Sequence, residues 1–154
     1  MNNKDLTIKE IEGKLQYYCS YQDRCHKEVI EKLKNFNIKS HESNQIISNL
    51  INDNYLNESR FSESFVRGKF KIKNWGKVRI IRELKQRNIS PHNISLGLKE
   101  IDVQEYQQKF DKIFKNKLSS LSNLNTILKK KKIMSYLMYR GWESNLIYSK
   151  INEI

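Results

Sequence analysis

The sequence predicts an all-α protein, three tandem three-helix repeats stacked into an elongated, curved array, and three observations carry that expectation. Among 154 residues there are one Pro and five Gly, so little interrupts helices, and no alternating β-branched runs suggest a sheet. The hydrophobic share is 38% and the mean hydropathy −0.76, low for one compact globule. Six Phe, eight Tyr and two Trp still argue against a disordered chain. Narrow cores shared between small stacked units reconcile the two. The third observation is repetition. Val29-Ile30-Glu31-Lys32-Leu33 aligns with Ile80-Ile81-Arg82-Glu83-Leu84 and with Ile133-Met134-Ser135-Tyr136-Leu137. Downstream, Ile38, Ile89 and Trp142 correspond, then Ile47, Leu98 and Ile151, then Leu50, Ile101 and Ile154, at offsets of 51 and 53 residues.

Each repeat reads as three helices. In the first (1–54), residues about 6–20 carry Ile8, Ile11, Leu15 and Tyr18 at the spacing of one apolar stripe. Helices over about 25–36 and 41–54 follow, the latter with Ser40 as N-cap. In the second (55–102), a helix over about 59–73 sets Phe61, Phe65 and Ile72 along one side, with Gly68 in the same row. After a Trp75-Gly76 corner, the helix over about 76–88 turns Ile80, Ile81 and Leu84 inward and Arg79, Arg82 and Gln86 outward. Ser90-Pro91 then supplies a cap and a first-turn proline for a helix over about 91–101. In the third (103–154), helices fall near 103–118, 124–140 and 143–153, with Arg140-Gly141 as a C-terminal stop and 119–125 the least marked boundary.

Charge is distributed unevenly. The net +12 comes from the last two repeats, because residues 1–54 hold eight basic and eight acidic side chains. Residues 60–90 alone carry ten Lys/Arg against Glu63 and Glu83, together with three Phe and one Trp. Glu83 stands four residues from both Arg79 and Arg87 and can pair within the helix at ~0.2–0.5 kcal/mol each. Lys69, Lys71, Lys73 and Lys77 have no acid three or four residues away. Uncompensated repulsion of that density points to an anionic partner. Trp75 suits a buried hinge better than a base-stacking platform. The four lysines at 129–132 spread around a helix and read as a solvated face with nonspecific phosphate attraction.

Other chemistries find little support. Cys19, Cys25, His26 and His41 lack the paired short spacings of a structural zinc site, so no metal or cofactor is expected. Two cysteines form no disulfide framework, which suits a cytoplasmic protein with free thiols. No phosphate-cradling glycine loop, zincin helix or nucleophile elbow occurs, and no carboxylate pair stands out, so catalysis is not expected. No apolar run approaches a membrane span, and the N-terminus has no signal-peptide core.

Leu56-Asn57-Glu58-Ser59-Arg60-Phe61-Ser62-Glu63-Ser64-Phe65-Val66-Arg67, then Trp75-Gly76-Lys77-Val78-Arg79-Ile80 and Glu83-Leu84-Lys85-Gln86-Arg87-Asn88-Ile89, resemble the RecX family of recombination regulators. The family pattern runs Arg-Phe-Ala, a Phe, basic residues, Gly-Pro-x-x-Ile and Glu-Leu-x-x-Lys-Gly-Ile. This chain departs with Ser62 for Ala, Lys77 for Pro and Asn88 for Gly. Leu137-Met138-Tyr139-Arg140-Gly141-Trp142 is similar to the family's Leu-x-x-Arg-Gly-Phe ending, and the resemblance spans about residues 17–154. It implies a non-enzymatic protein, acting in recombination, repair and the SOS response. Such a protein binds the RecA recombinase and lies in the helical groove of the RecA–DNA filament, most often inhibiting it. The residues assigned to partner or DNA contact are Arg60, Arg67, Lys69, Lys71, Lys73, Lys77, Arg79 and Arg82. A monomer with weak direct binding to single- or double-stranded DNA is expected. The alternative is a helix-turn-helix-like module for duplex DNA, since three-helix units with a basic second helix are compatible with it.

Overall fold

The computed structural model describes residues 6–154, and the described residues form nine α-helices and no strand. The signal-peptide reading of the first five residues lies outside them. Helices α1 (Ile8–Tyr21), α2 (His26–Leu33) and α3 (Ser40–Asn52) make the first triplet. The second comprises α4 (Glu58–Lys71), α5 (Lys77–Gln86) and α6 (Pro91–Leu98), and the third α7 (Val103–Ser120), α8 (Thr126–Tyr139) and α9 (Ser144–Ile151). No described helix is long and apolar enough to cross a membrane.

Polar residues set the boundaries. Side chains of Thr7, Asn57, Ser90, Asp102 and Asn125 accept from the third backbone amide of α1, α4, α6, α7 and α8, satisfying donors that a helix start leaves free. At α3 the N-cap is Lys39 rather than Ser40, with Glu42 accepting the Lys39 amide at 2.9 Å. Three helices end alike. After α3, α5 and α8, the residues Asn54, Asn88 and Gly141 take φ of 61°, 60° and 85°. The next amides, of Tyr55, Ile89 and Trp142, donate back to the carbonyls of Leu50, Leu84 and Leu137. Asn88 stands where the family usually has Gly because Asn tolerates the left-handed region better than other side-chain-bearing residues. The correspondence of Ile89 with Trp142 is a real one: both are buried and both close this motif.

Among the described residues the buried side chains fall into two clusters, not three. Ile11, Leu15, Cys19, Val29, Leu33, Ile46, Leu50 and Leu56 form the core of the first triplet. The second and third triplets share one continuous core, running from Phe61 and Phe70 through Ile80, Leu84 and Phe110 to Leu137, Trp142 and Ile151, and it includes Cys25. On α4 the buried stripe is Phe61, Ser62, Val66 and Phe70. The predicted row of Phe61, Phe65 and Ile72 is corrected: Ile72 is 77% exposed, because it caps the helix and no longer follows its periodicity. Ser62 is buried, with its hydroxyl donating to the Glu58 carbonyl at 2.9 Å. It is small because α6 crosses here: a Cβ on Gly97 would lie 2.9 Å from the Ser62 carbonyl oxygen and 3.0 Å from Val66 Cγ2.

The two joints between triplets differ in chemistry. At the first, Arg60 Nε donates to Asp23 at 2.7 Å and its terminal nitrogen donates to the Asn54 and Tyr55 carbonyls. Glu58 accepts the His26 amide, and Lys27 Nζ reaches the Gln86 carbonyl at 2.8 Å. At the second, the N-terminus of α5 meets the C-terminus of α8 backbone to backbone. The amides of Gly76 and Val78 donate to the carbonyls of Arg140 and Gly141 at 2.8 and 2.9 Å. Donors left over by one helix start thus satisfy acceptors left over by one helix end, with the two helix dipoles in favourable alignment.

Candidate functional site

The Trp75-Gly76 corner and the Arg140-Gly141-Trp142 stop, far apart in sequence, are the two halves of this second joint. Their glycines allow it. A Cβ on Gly76 would stand 2.5 Å from the Gly141 carbonyl oxygen, and one on Gly141 would stand 2.1 Å from Arg79 Cβ. Trp142 is buried beneath, its indole nitrogen donating to the Asn74 carbonyl at 3.1 Å. Lys77, where the family usually has Pro, keeps an amide that needs a partner. The Tyr106 hydroxyl accepts it at 2.9 Å and donates in turn to Glu143. Burial, and then the Glu143 bond, push the Tyr106 phenol well above its ordinary range, so it stays a proton donor.

Over this joint, cations and rings alternate in a row. Arg87 lies 4.9 Å from the Phe65 ring centre; Lys69 follows at 5.4 Å from Phe65 and 5.0 Å from Trp75. Arg79 then sits 4.0 Å from Trp75 and 4.8 Å from Tyr139. Cation–π attraction of about 0.5–1 kcal/mol per exposed pair holds the long side chains along the surface. Burial, with Lys73 and Arg87 close by, lowers the Lys69 ammonium below its ordinary range. A polyanion would relieve that repulsion. The Nε of Arg79 is enclosed and makes no hydrogen bond, while its NH1 group reaches the Tyr139 carbonyl at a long 3.3 Å.

The eight cations singled out in the sequence do not form one stripe. Residues two apart on a helix point about 200° apart, so α4 divides them. Lys69 and Lys73 line a groove of about 340 Å³ together with Phe65, Ile72, Arg87 and the acids Asp23 and Glu28. Arg67 faces away and pairs with Glu100 at 3.2 Å. Lys71 is exposed near Lys109, which donates to its carbonyl at 3.0 Å. Arg60 belongs to the first joint, and the Lys77 ammonium lies over the Tyr106 ring at 4.6 Å. Arg79, expected to point outward, is folded into the joint, and Arg82 follows one turn later, exposed and without an ion pair among the described residues. Glu83 pairs with Arg87 at 3.0 Å rather than with Arg79. The structure adds Arg87, Phe65 and Tyr139 to the surface. Tyr139 had a signal in the sequence, since it directly precedes Arg140-Gly141; nothing in the sequence placed that motif against Trp75.

Tandem helical triplets, the second and third of which carry an aromatic and cationic face, define a helical-repeat protein; no metal-binding cluster occurs among the described residues. A family profile described as RecX, second three-helix domain, matches residues 57–98. Regulatory protein RecX of Oceanobacillus iheyensis is 27% identical over 138 residues, 90% of this chain and 51% of its own. That of Streptococcus agalactiae serotype V is 28% identical over 138 residues, 90% of this chain and 53% of its own. The chain is similar to RecX proteins along most of its length, and the RecX profile falls on its second triplet. A crystal structure of RecX from Lactobacillus salivarius matches with a TM-score of 0.80 at 25% identity, covering 95% of both chains. A crystal structure of regulatory protein RecX matches with 0.82 at 19% identity, covering 96% of this chain and 73% of that one. The chain spans about half the length of the curated relatives it matches.

Proposed function

We propose that this chain is a non-enzymatic cytoplasmic regulator that binds the RecA recombinase as a monomer and lies in the groove of the RecA–DNA filament. There it restrains filament extension, ATP hydrolysis and strand exchange. The observation that carries this reading is the ordered row of Lys69, Trp75 and Arg79 beside exposed, unpaired Lys73 and Arg82. It is a preformed cationic surface on stacked units, able to touch acidic protein faces or phosphates along a repeating track. Simultaneous contact with several protomers raises effective concentration and favours filament over free recombinase. The duplex-reading alternative is less well supported, because the first amides of α5 are engaged by Arg140 and Gly141 and that helix start cannot enter a DNA groove.

The test is RecA's DNA-dependent ATP hydrolysis and strand exchange with substoichiometric protein. Both should fall, and Lys73→Glu with Arg82→Glu should weaken the effect about tenfold without changing the helical circular dichroism. Unchanged rates at equimolar protein, in low and moderate salt, would overturn the proposal.

A further inference from the structure

The third triplet has a second cationic groove, between the end of α7 and α8, which meets the recombinase-binding face only at Tyr139 and contains none of that face's Lys69, Lys73, Arg79 or Arg82. Lys117, Lys131, Lys132 and Arg140 border it, over Leu121 and Leu128, in an open volume of about 700 Å³. No acid lines it. The three acids of residues 106–154 are committed elsewhere: Glu143 holds Tyr106, and Asp111 and Glu153 both lie against Lys150 at 3.7 and 3.5 Å. Two of the four consecutive lysines are thus brought to one site rather than scattered around a helix.

Three features define what this groove recognises. Arg140 and Lys117 lie 3.7 and 4.5 Å from the Tyr136 ring centre, and Tyr139 already carries Arg79. The rings position cations here, which leaves them poorly placed to stack on bases. Leu121 and Leu128 supply an aliphatic part of the lining beside Tyr136, and Leu128 is 41% exposed. A phosphodiester chain has nothing to bury on that part, whereas a peptide alternating carboxylates with apolar side chains matches both the cations and the leucines.

We infer that the α7–α8 groove docks an acidic, amphipathic peptide segment of a partner protein, its carboxylates on Lys117, Lys131, Lys132 and Arg140 and its apolar side chains on Leu121 and Leu128. The test uses the whole chain and a fluorescent peptide alternating Asp/Glu with Leu, read by anisotropy. Binding should weaken about tenfold with Lys117→Glu plus Lys132→Glu, and separately with Leu128→Ser or when the peptide's leucines become serines. Each variant's melting temperature, read alongside, verifies its fold. Lys73→Glu with Arg82→Glu should leave peptide binding unchanged, so failure here and failure of the recombinase proposal are distinguishable. Indifference to the two charge reversals overturns the inference. So does displacement of the peptide by oligothymidine of equal charge that binds more tightly, which would make the groove a nucleic-acid site.

Discussion

Replacing Gly76 by Ala tests the second joint with one carbon atom. Its φ and ψ of −82° and 170° suit any residue, so the backbone itself exacts no penalty. All of the effect comes from the new Cβ, which would meet the Gly141 carbonyl oxygen at 2.5 Å, Trp142 Cα at 2.6 Å and Gly141 C at 2.7 Å. These are backbone atoms and cannot rotate aside. Restoring an ordinary contact near ~3.4 Å requires the two segments to part by about 0.9 Å. The Gly76–Arg140 and Val78–Gly141 bonds, 2.8 and 2.9 Å long, would be lost. At roughly 1 kcal/mol each, with partial loss of Trp142 packing beneath, the expected destabilisation is about 2–4 kcal/mol. The two tryptophans flank this joint, so urea unfolding followed by tryptophan emission reads it directly. Stability within about 0.5 kcal/mol of the parent would show that the joint yields without cost and would refute the reasoning.

Gly68 provides the opposite case. It lies inside α4 with nothing within 4 Å of a Cβ, so Gly68→Ala should stabilise by about 0.5–1 kcal/mol, measured in the same urea titration. Arg60→Ala removes the Asp23 pair and both carbonyl contacts of the first joint. A loss of about 1–2 kcal/mol and faster proteolysis around 53–57 are expected; unaltered cleavage would mean the joint does not depend on Arg60. Burial pushes the Cys25 thiol up to about 11, so the unfolded chain releases this proton first as pH rises. Its contribution is neutral below the unfolded value of ~8.5 and destabilising from there upward. Stability should therefore decline between those limits, and Cys25→Ser should flatten the decline.

The aliphatic framework was legible because each triplet solves the same packing problem with residues at helical spacing. Ile80, Leu84, Ile133 and Leu137 are all fully buried, as their alignment required. Gly141 likewise announced a helix end, because glycine accepts the left-handed conformation that such an end requires. What escaped was α4, whose buried stripe includes Ser62, a residue that looks polar until α6 is seen pressing Gly97 against it. The cations escaped for a related reason. Their number is written in the composition, but whether Arg79 points to solvent depends on Trp75 and on Tyr139, sixty residues away. Cores shared between units were expected from composition, but that the second and third fuse while the first stays apart was not legible, since local periodicity says which face is apolar and not what covers it.

The unlike joints have a mechanical consequence. The ion pair of Arg60 with Asp23 is partly solvated, so added salt loosens it. The Gly76–Arg140 and Val78–Gly141 bonds join neutral backbone groups at the buried Gly76 and Gly141 and respond little to ions. Added salt should therefore loosen the contact between the first triplet and the other six described helices before it touches the joint within those six.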